Sequence, residues 1–182
     1  MGARKGPFAP FPRTMTQLDI RPEMTMEEIL QAAPSAQRAL FQRYHIGGCS
    51  ACGFQPTDTL AQVAKDHNIL DIKDIVNTIV TAHELDGKIQ VPAAAVREWL
   101  AANEEFSFID VRTPDERGED LVAEAEILDY SDSGKYMGLP KDRKIVFLCV
   151  DGGRSLDVAS YFIGHQFTQV FCLEGGVAGW RA

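Results

Sequence analysis

Six consecutive apolar residues, Ile145-Val146-Phe147-Leu148-Cys149-Val150, constrain the fold of this chain more than any other feature. The run is strand-sized and has no polar alternation, so it predicts a strand covered on both faces. Strands of that kind belong to parallel sheets with helices packed above and below. It is also the best apolar run in the chain and falls far short of the length needed to cross a bilayer.

The surrounding residues repeat the pattern. Phe106–Val111 and Thr168–Cys172 read as further buried strands, with Leu156–Gly164 as a helix before the latter. Ile89-Gln90-Val91 predicts a short strand, and Pro92, at a first helical position, opens a helix carrying Val96, Trp99 and Leu100. Residues 87–182 are therefore expected to form an α/β domain with a parallel sheet, in which chemistry gathers beyond the carboxyl ends of the strands.

The first half contains no such strands. Thr25-Met26-Glu27-Glu28 and Thr59-Leu60-Ala61-Gln62 both have capping-box spacing. Pro34 restarts a helix that carries Ala39, Leu40 and Tyr44 and ends near Gly47-Gly48. Ile72, Ile75, Val76, Ile79 and Val80 recur at helical spacing in a last helix capped by Asp71 or Asp74. Residues 20–86 are expected to be a small all-α domain, and Asp86-Gly87 reads as the turn that closes it. Residues 1–19, with Pro7, Pro10 and Pro12 and no periodicity, read as a mobile arm, within which Met15 competes with Met1 as the start.

A formal net charge of -8 argues against nucleic acid or an anionic membrane as partner, because both reward a basic surface. No secretory signal pattern is visible, which predicts a cytoplasmic protein whose four cysteines are thiols rather than a disulfide framework. The oligomeric state, including a homodimer, stays open.

Cys149 closes the central predicted strand, and Val150-Asp151-Gly152-Gly153-Arg154 lead into a helix beginning near Ser155. Backbone N–H groups of such a loop, together with the helix N-terminus, form a cradle for negative charge around the sulfur. Arg154 adds a cation, and Gly152 and Gly153 are expected to supply unusual backbone angles. The arrangement favours thiolate over thiol and would stabilise an anionic persulfide. Asp151 is the exception, since its charge opposes a dianionic donor such as thiosulfate unless it points to solvent or caps the next helix.

Cys149-x-x-Gly152-x-Arg154-Ser155, a following helix and strand, and Leu173-Glu174-Gly175-Gly176 with Trp180 together resemble the active-site loop and closing segment of rhodanese-like sulfurtransferases. Ile109-Asp110-Val111-Arg112 is similar to their earlier strand signature. The resemblance implies that Cys149 carries sulfur as a persulfide, with Arg154 assisting and Val150, Asp151, Gly152, Gly153 and Ser155 cradling the transferred atom. It makes Asp110 and Arg112 structural. It further implies small sulfur donors (polysulfide, thiosulfate or a protein persulfide), thiol acceptors and no required cofactor. Four residues separate Cys149 from Arg154, a loop one residue shorter than in the phosphatases that resemble this family. One departure is Glu119–Glu124, where rhodaneses commonly carry a Gly-His-Ile-type motif.

Gly47-Gly48-Cys49-Ser50-Ala51-Cys52-Gly53, within about residues 24–85, resembles a small helical Cys-x-x-Cys family labelled hybrid-cluster-protein-associated redox disulfide domains. It implies dithiol/disulfide chemistry at Cys49 and Cys52. The alternatives are half of a metal or iron–sulfur site, and inert thiols. His45, His67 and His83 do not have zinc-finger spacing, Cys172 reads as core, and His165 as solvated.

Overall fold

The computed structural model of the protein describes residues 18–47 and 53–182. It divides into two compact units, Met1–Lys88 and Ile89–Ala182. Cys49 and Cys52, and residues 1–17 of the expected arm, lie outside the described residues. Leu18 packs against the core of the first unit.

The first unit is helical: α1 (Met26–Ala32), α2 (Ser35–Tyr44), α3 (Leu60–Asp66) and α4 (Ile72–Ile89). The box opening α1 is complete, with Glu28 N donating to Thr25 Oγ1 at 3.3 Å and Thr25 N to Glu28 Oε2 at 2.8 Å. At α3 only half of the expected box forms. Gln62 N donates to Thr59 Oγ1, but the Gln62 amide reaches forward to Asp66 instead of back. The two helix starts are joined by a bridge between Thr25 and Thr59. Met26, Ile29, Leu40, Leu60, Ile75 and Ile79 fill the centre.

The expected turn at Asp86-Gly87 does not form, because α4 runs through both residues to Ile89. The Asp86 carboxylate that would fold an Asx turn is instead buried in an ion pair with Arg38 of α2. Asp71, not Asp74, receives the early N–H of α4, from Lys73 at 2.9 Å. Asp74 is engaged by Arg43 and by the Tyr44 hydroxyl.

The second unit contains β1 (Gln90–Val91), α5 (Ala93–Ala101), β2 (Ser107–Asp110), α6 (Pro114–Arg117), β3 (Glu126–Ile127), α7 (Ser133–Met137), β4 (Ile145–Leu148), α8 (Gly153–Gly164), β5 (Val170–Leu173) and α9 (Gly176–Arg181). The strands form one parallel sheet in the order β1-β5-β4-β2-β3. The apolar hexad supplies β4, which is central and buried at every position. Phe147 meets Phe162 of α8 on one face, while Phe108 meets Trp180 of α9 and Phe171 meets Trp99 of α5 on the other. The sheet is thus covered on both sides, as the unbroken apolar run requires. Pro92 precedes α5 as its N-cap rather than occupying its first turn. Among the described residues, no helix is long and apolar enough to cross a membrane.

Candidate active site

Cys149 follows the last residue of β4, and its side chain is 1% exposed. Its sulfur accepts from Gly152 N at 3.1 Å and from Ser155 N at 3.4 Å, at the start of the twelve-residue helix α8. Ser155 Oγ stands 3.4 Å from Sγ while its hydroxyl donates to Gly152 O at 2.9 Å. Two backbone donors and a helix N-terminus thus converge on one sulfur, an arrangement that stabilises negative charge there.

Gly152 makes this convergence possible, because its φ of 102° is closed to other L-residues without strain. Gly153 differs from expectation: it lies within the first turn of α8 and has no left-handed backbone. Its N–H does not join the cradle either, since it donates to Asp151 Oδ1 at 2.9 Å. Asp151, one residue before the N-cap Gly152, therefore holds the first N–H of α8 and also keeps that oxygen 3.9 Å from Cys149 Sγ. Contact with the helix start and proximity to the sulfur, posed as alternatives, coexist in one side chain. Val150 is 42% exposed beside the buried sulfur.

The loop is held from the other side by the turn after β5. A Cβ on Gly176 would lie 2.5 Å from Cys149 O and from Val150 C, so only glycine permits this approach, and Val177 N donates to Cys149 O at 2.8 Å. Gly175 and Gly176 both have positive φ.

Arg154 does not point a free cation at the sulfur. Nη2 donates to Glu116 Oε1 at 2.8 Å, Nη1 binds Glu116 Oε2, and Nη1 also lies 3.5 Å from Val111 O. Sequence reasoning missed Glu116, although Thr113-Pro114-Asp115-Glu116 has capping-box spacing with proline at the first helical position. The box is present, with Thr113 N donating to Glu116 Oε2 at 2.8 Å. Hydrogen bonds from Arg154 and then from Thr113 N–H lower the Glu116 carboxyl to about 2. The Tyr130 hydroxyl also donates to Val111 O, at 2.6 Å, and no local pattern announces that contact.

Beside the site, Arg112 is 1% and Asp110 2% exposed. They are joined through Arg112 Nη2 and Asp110 Oδ2 at 2.8 Å and Arg112 Nε at 3.1 Å from both carboxylate oxygens. Arg112 also donates to Asp120 O at 2.8 Å, and Asp120 pairs with Arg181 of α9. The departing segment Glu119–Glu124 thus supplies a partner for the buried arginine.

Residues 92–182 match the family described as "Rhodanese-like domain". The chain belongs to the rhodanese-like family. Among its relatives, the rhodanese-like half is 35% identical over 93 residues to "Putative sulfurtransferase YtwF" of Bacillus subtilis (strain 168), a match covering 50% of this chain and 89% of that protein. It is 26% identical over 92 residues to the "Sulfurtransferase" of Allochromatium vinosum, covering 50% and 86%. The crystal structure of a rhodanese-like domain protein from Staphylococcus aureus aligns with a TM-score of 0.44 at 20% identity, covering 50% of this chain and 89% of that one.

Proposed function

We propose that this protein is a rhodanese-type sulfurtransferase that carries sulfane sulfur as a persulfide on Cys149. The observation that carries the reading is the pair of N–H donors, Gly152 and Ser155, aimed at one buried strand-end sulfur. The names of the relatives point the same way. The Cys149 thiolate attacks the outer sulfur of a donor, the donor's S–S bond breaks, and the leaving group departs with the electron pair. That group is sulfite from thiosulfate, a shortened chain from polysulfide, or a thiolate from a persulfide. An acceptor thiolate then takes the outer sulfur and Cys149 returns to thiolate. Arg154, in this reading, keeps a positive charge beside the loop, and Ser155 orients Sγ.

The Cys49/Cys52 dithiol suits the acceptor role chemically. Cys49 would take the outer sulfur, after which Cys52 would attack Cys49, closing a disulfide and expelling hydrosulfide; the dithiol supplies the two electrons. A non-enzymatic redox or metal-linked module on a rhodanese fold is the rival reading.

The test is mass spectrometry of the reduced protein after exposure to polysulfide or thiosulfate. One added sulfur atom, removable by cyanide and absent in Cys149→Ser, is expected. A full adduct persisting in that variant would overturn the assignment, and no adduct in the parent would favour the rival. In the loaded, thiol-free protein, hydrosulfide release should accompany a Cys49-Cys52 disulfide and slow in Cys49→Ser and Cys52→Ser.

A further inference from the structure

We infer that the charges around Cys149 make its donor a persulfide carried on a thiol and make thiosulfate a poor donor. The inference rests on the reading of Cys149 as the sulfur carrier and goes beyond it by naming the donor class.

Thiosulfate brings two negative charges, and its departing sulfite must be stabilised by donors or cations near the loop. Several of the groups around the loop are already engaged. Gly152 N–H and Ser155 N–H are directed at Sγ itself, and Gly153 N–H is occupied by Asp151. The cation of the loop, Arg154, has both terminal nitrogens on the Glu116 carboxylate. A negative charge is held close to the sulfur, with Asp151 Oδ1 at 3.9 Å. A second cation on the neighbouring segment, Arg117, is turned to Arg112 O at 2.9 Å. An anion with a sulfonate head therefore meets the Asp151 carboxylate beside the sulfur.

A persulfide R–S–SH makes smaller demands. The Cys149 thiolate attacks the terminal sulfur, the S–S bond of the persulfide breaks, and R–S⁻ leaves with the electron pair. The terminal proton stays on the new Cys149 persulfide or passes to water. The leaving group has one charge on a polarisable sulfur, which tolerates the weaker stabilisation. The exposed Val150 beside Cys149 leaves room for the carrier's apolar atoms.

The experiment measures single-turnover loading of Cys149 in the full chain from thiosulfate, from glutathione persulfide and from a persulfidated cysteine peptide. The parent should load faster from both persulfides, and whichever is faster assigns a small thiol or a polypeptide as carrier. Asp151→Asn keeps an oxygen to cap Gly153 N–H and removes the charge. It should shift the thiosulfate-to-persulfide rate ratio toward thiosulfate by on the order of tenfold, with part of that lost at high salt. Adding Glu116→Gln, which releases Arg154, should shift the ratio further the same way. A ratio unchanged in both variants, or moved toward persulfide, overturns the inference while leaving the carrier role intact. Failure of every donor to load the parent removes the carrier role itself.

Discussion

The ends of two neighbouring strands handle charge in opposite ways. Asp110 at the end of β2 is in register with Leu148 at the end of β4, so the residues that follow emerge side by side. Beyond β2, Asp110 and Arg112 are buried and satisfy each other through three side-chain contacts, with Asp120 O taking a fourth bond. Beyond β4, a buried thiol collects backbone donors, and the nearby Arg154 and Glu116, paired with each other, remain partly exposed. The first arrangement is closed and fits structural support; the second is the one that the proposed sulfur-carrying role of Cys149 needs.

The sharpest way to break this contrast is to remove one arginine at a time. Arg112→Ala leaves the Asp110 carboxylate buried without its partner, and should lower unfolding stability by about 3–5 kcal/mol in urea denaturation. Replacing both partners with apolar residues, Asp110→Leu with Arg112→Met, should recover much of that loss. Arg154→Ala should change stability by under about 1 kcal/mol, because its ion pair is solvated, yet should slow sulfur loading. If the two single variants lose equal stability, the distinction between a closed and an open strand end fails.

The glycines sharpen the same comparison on a smaller scale. Gly152→Ala forces φ of 102° onto an L-residue, at about 1–3 kcal/mol, and moves an N–H away from Sγ. Gly153→Ala enters the first turn of α8 with only the Asp151 carboxylate at 3.4 Å from its Cβ, and should fall within about 0.5 kcal/mol of the parent. Denaturation midpoints and loading rates should both separate the two variants. Equal losses would mean that the loop, rather than one backbone angle, sets the geometry.

Local patterns in the sequence carry much of this architecture. The apolar hexad, the strand-to-helix position of Cys149 and the box at Thr25 depend on neighbours a few residues apart, and the structure follows them. The short strand Glu126–Ile127 is not legible, because both residues are exposed and it lies at the sheet edge, where burial writes no apolar pattern. Asp86-Gly87 misleads because its turn chemistry is overridden by a partner 48 positions away, Arg38. Glu116 is half legible: its capping box is local, but its pairing with Arg154 spans 38 positions and depends on β2 and β4 lying side by side. Arg154 therefore reads from sequence as a free cation over the sulfur.

Glu116 also provides the subtlest test. Its folded-state carboxyl is lowered from 4.5 to about 2, first by the Arg154 guanidinium and then by Thr113 N–H. A depressed carboxyl binds protons less readily folded than unfolded, so its contribution to stability is fully present above 4.5 and shrinks as pH falls toward 2. The urea midpoint of the parent should exceed that of Glu116→Gln at neutral pH. The difference should hold down to about pH 5 and vanish near pH 2, because the amide introduced by the substitution does not titrate. The group is at the surface, so salt should reduce the Arg154 share of the difference more than the share due to the Thr113 N–H. The closed pair supplies the contrast, since salt cannot reach Asp110 and Arg112 as readily. A difference between parent and Glu116→Gln that stays constant through acid would mean that Glu116 acts by packing and capping alone, and that its charge does not hold Arg154 beside the Cys149 loop.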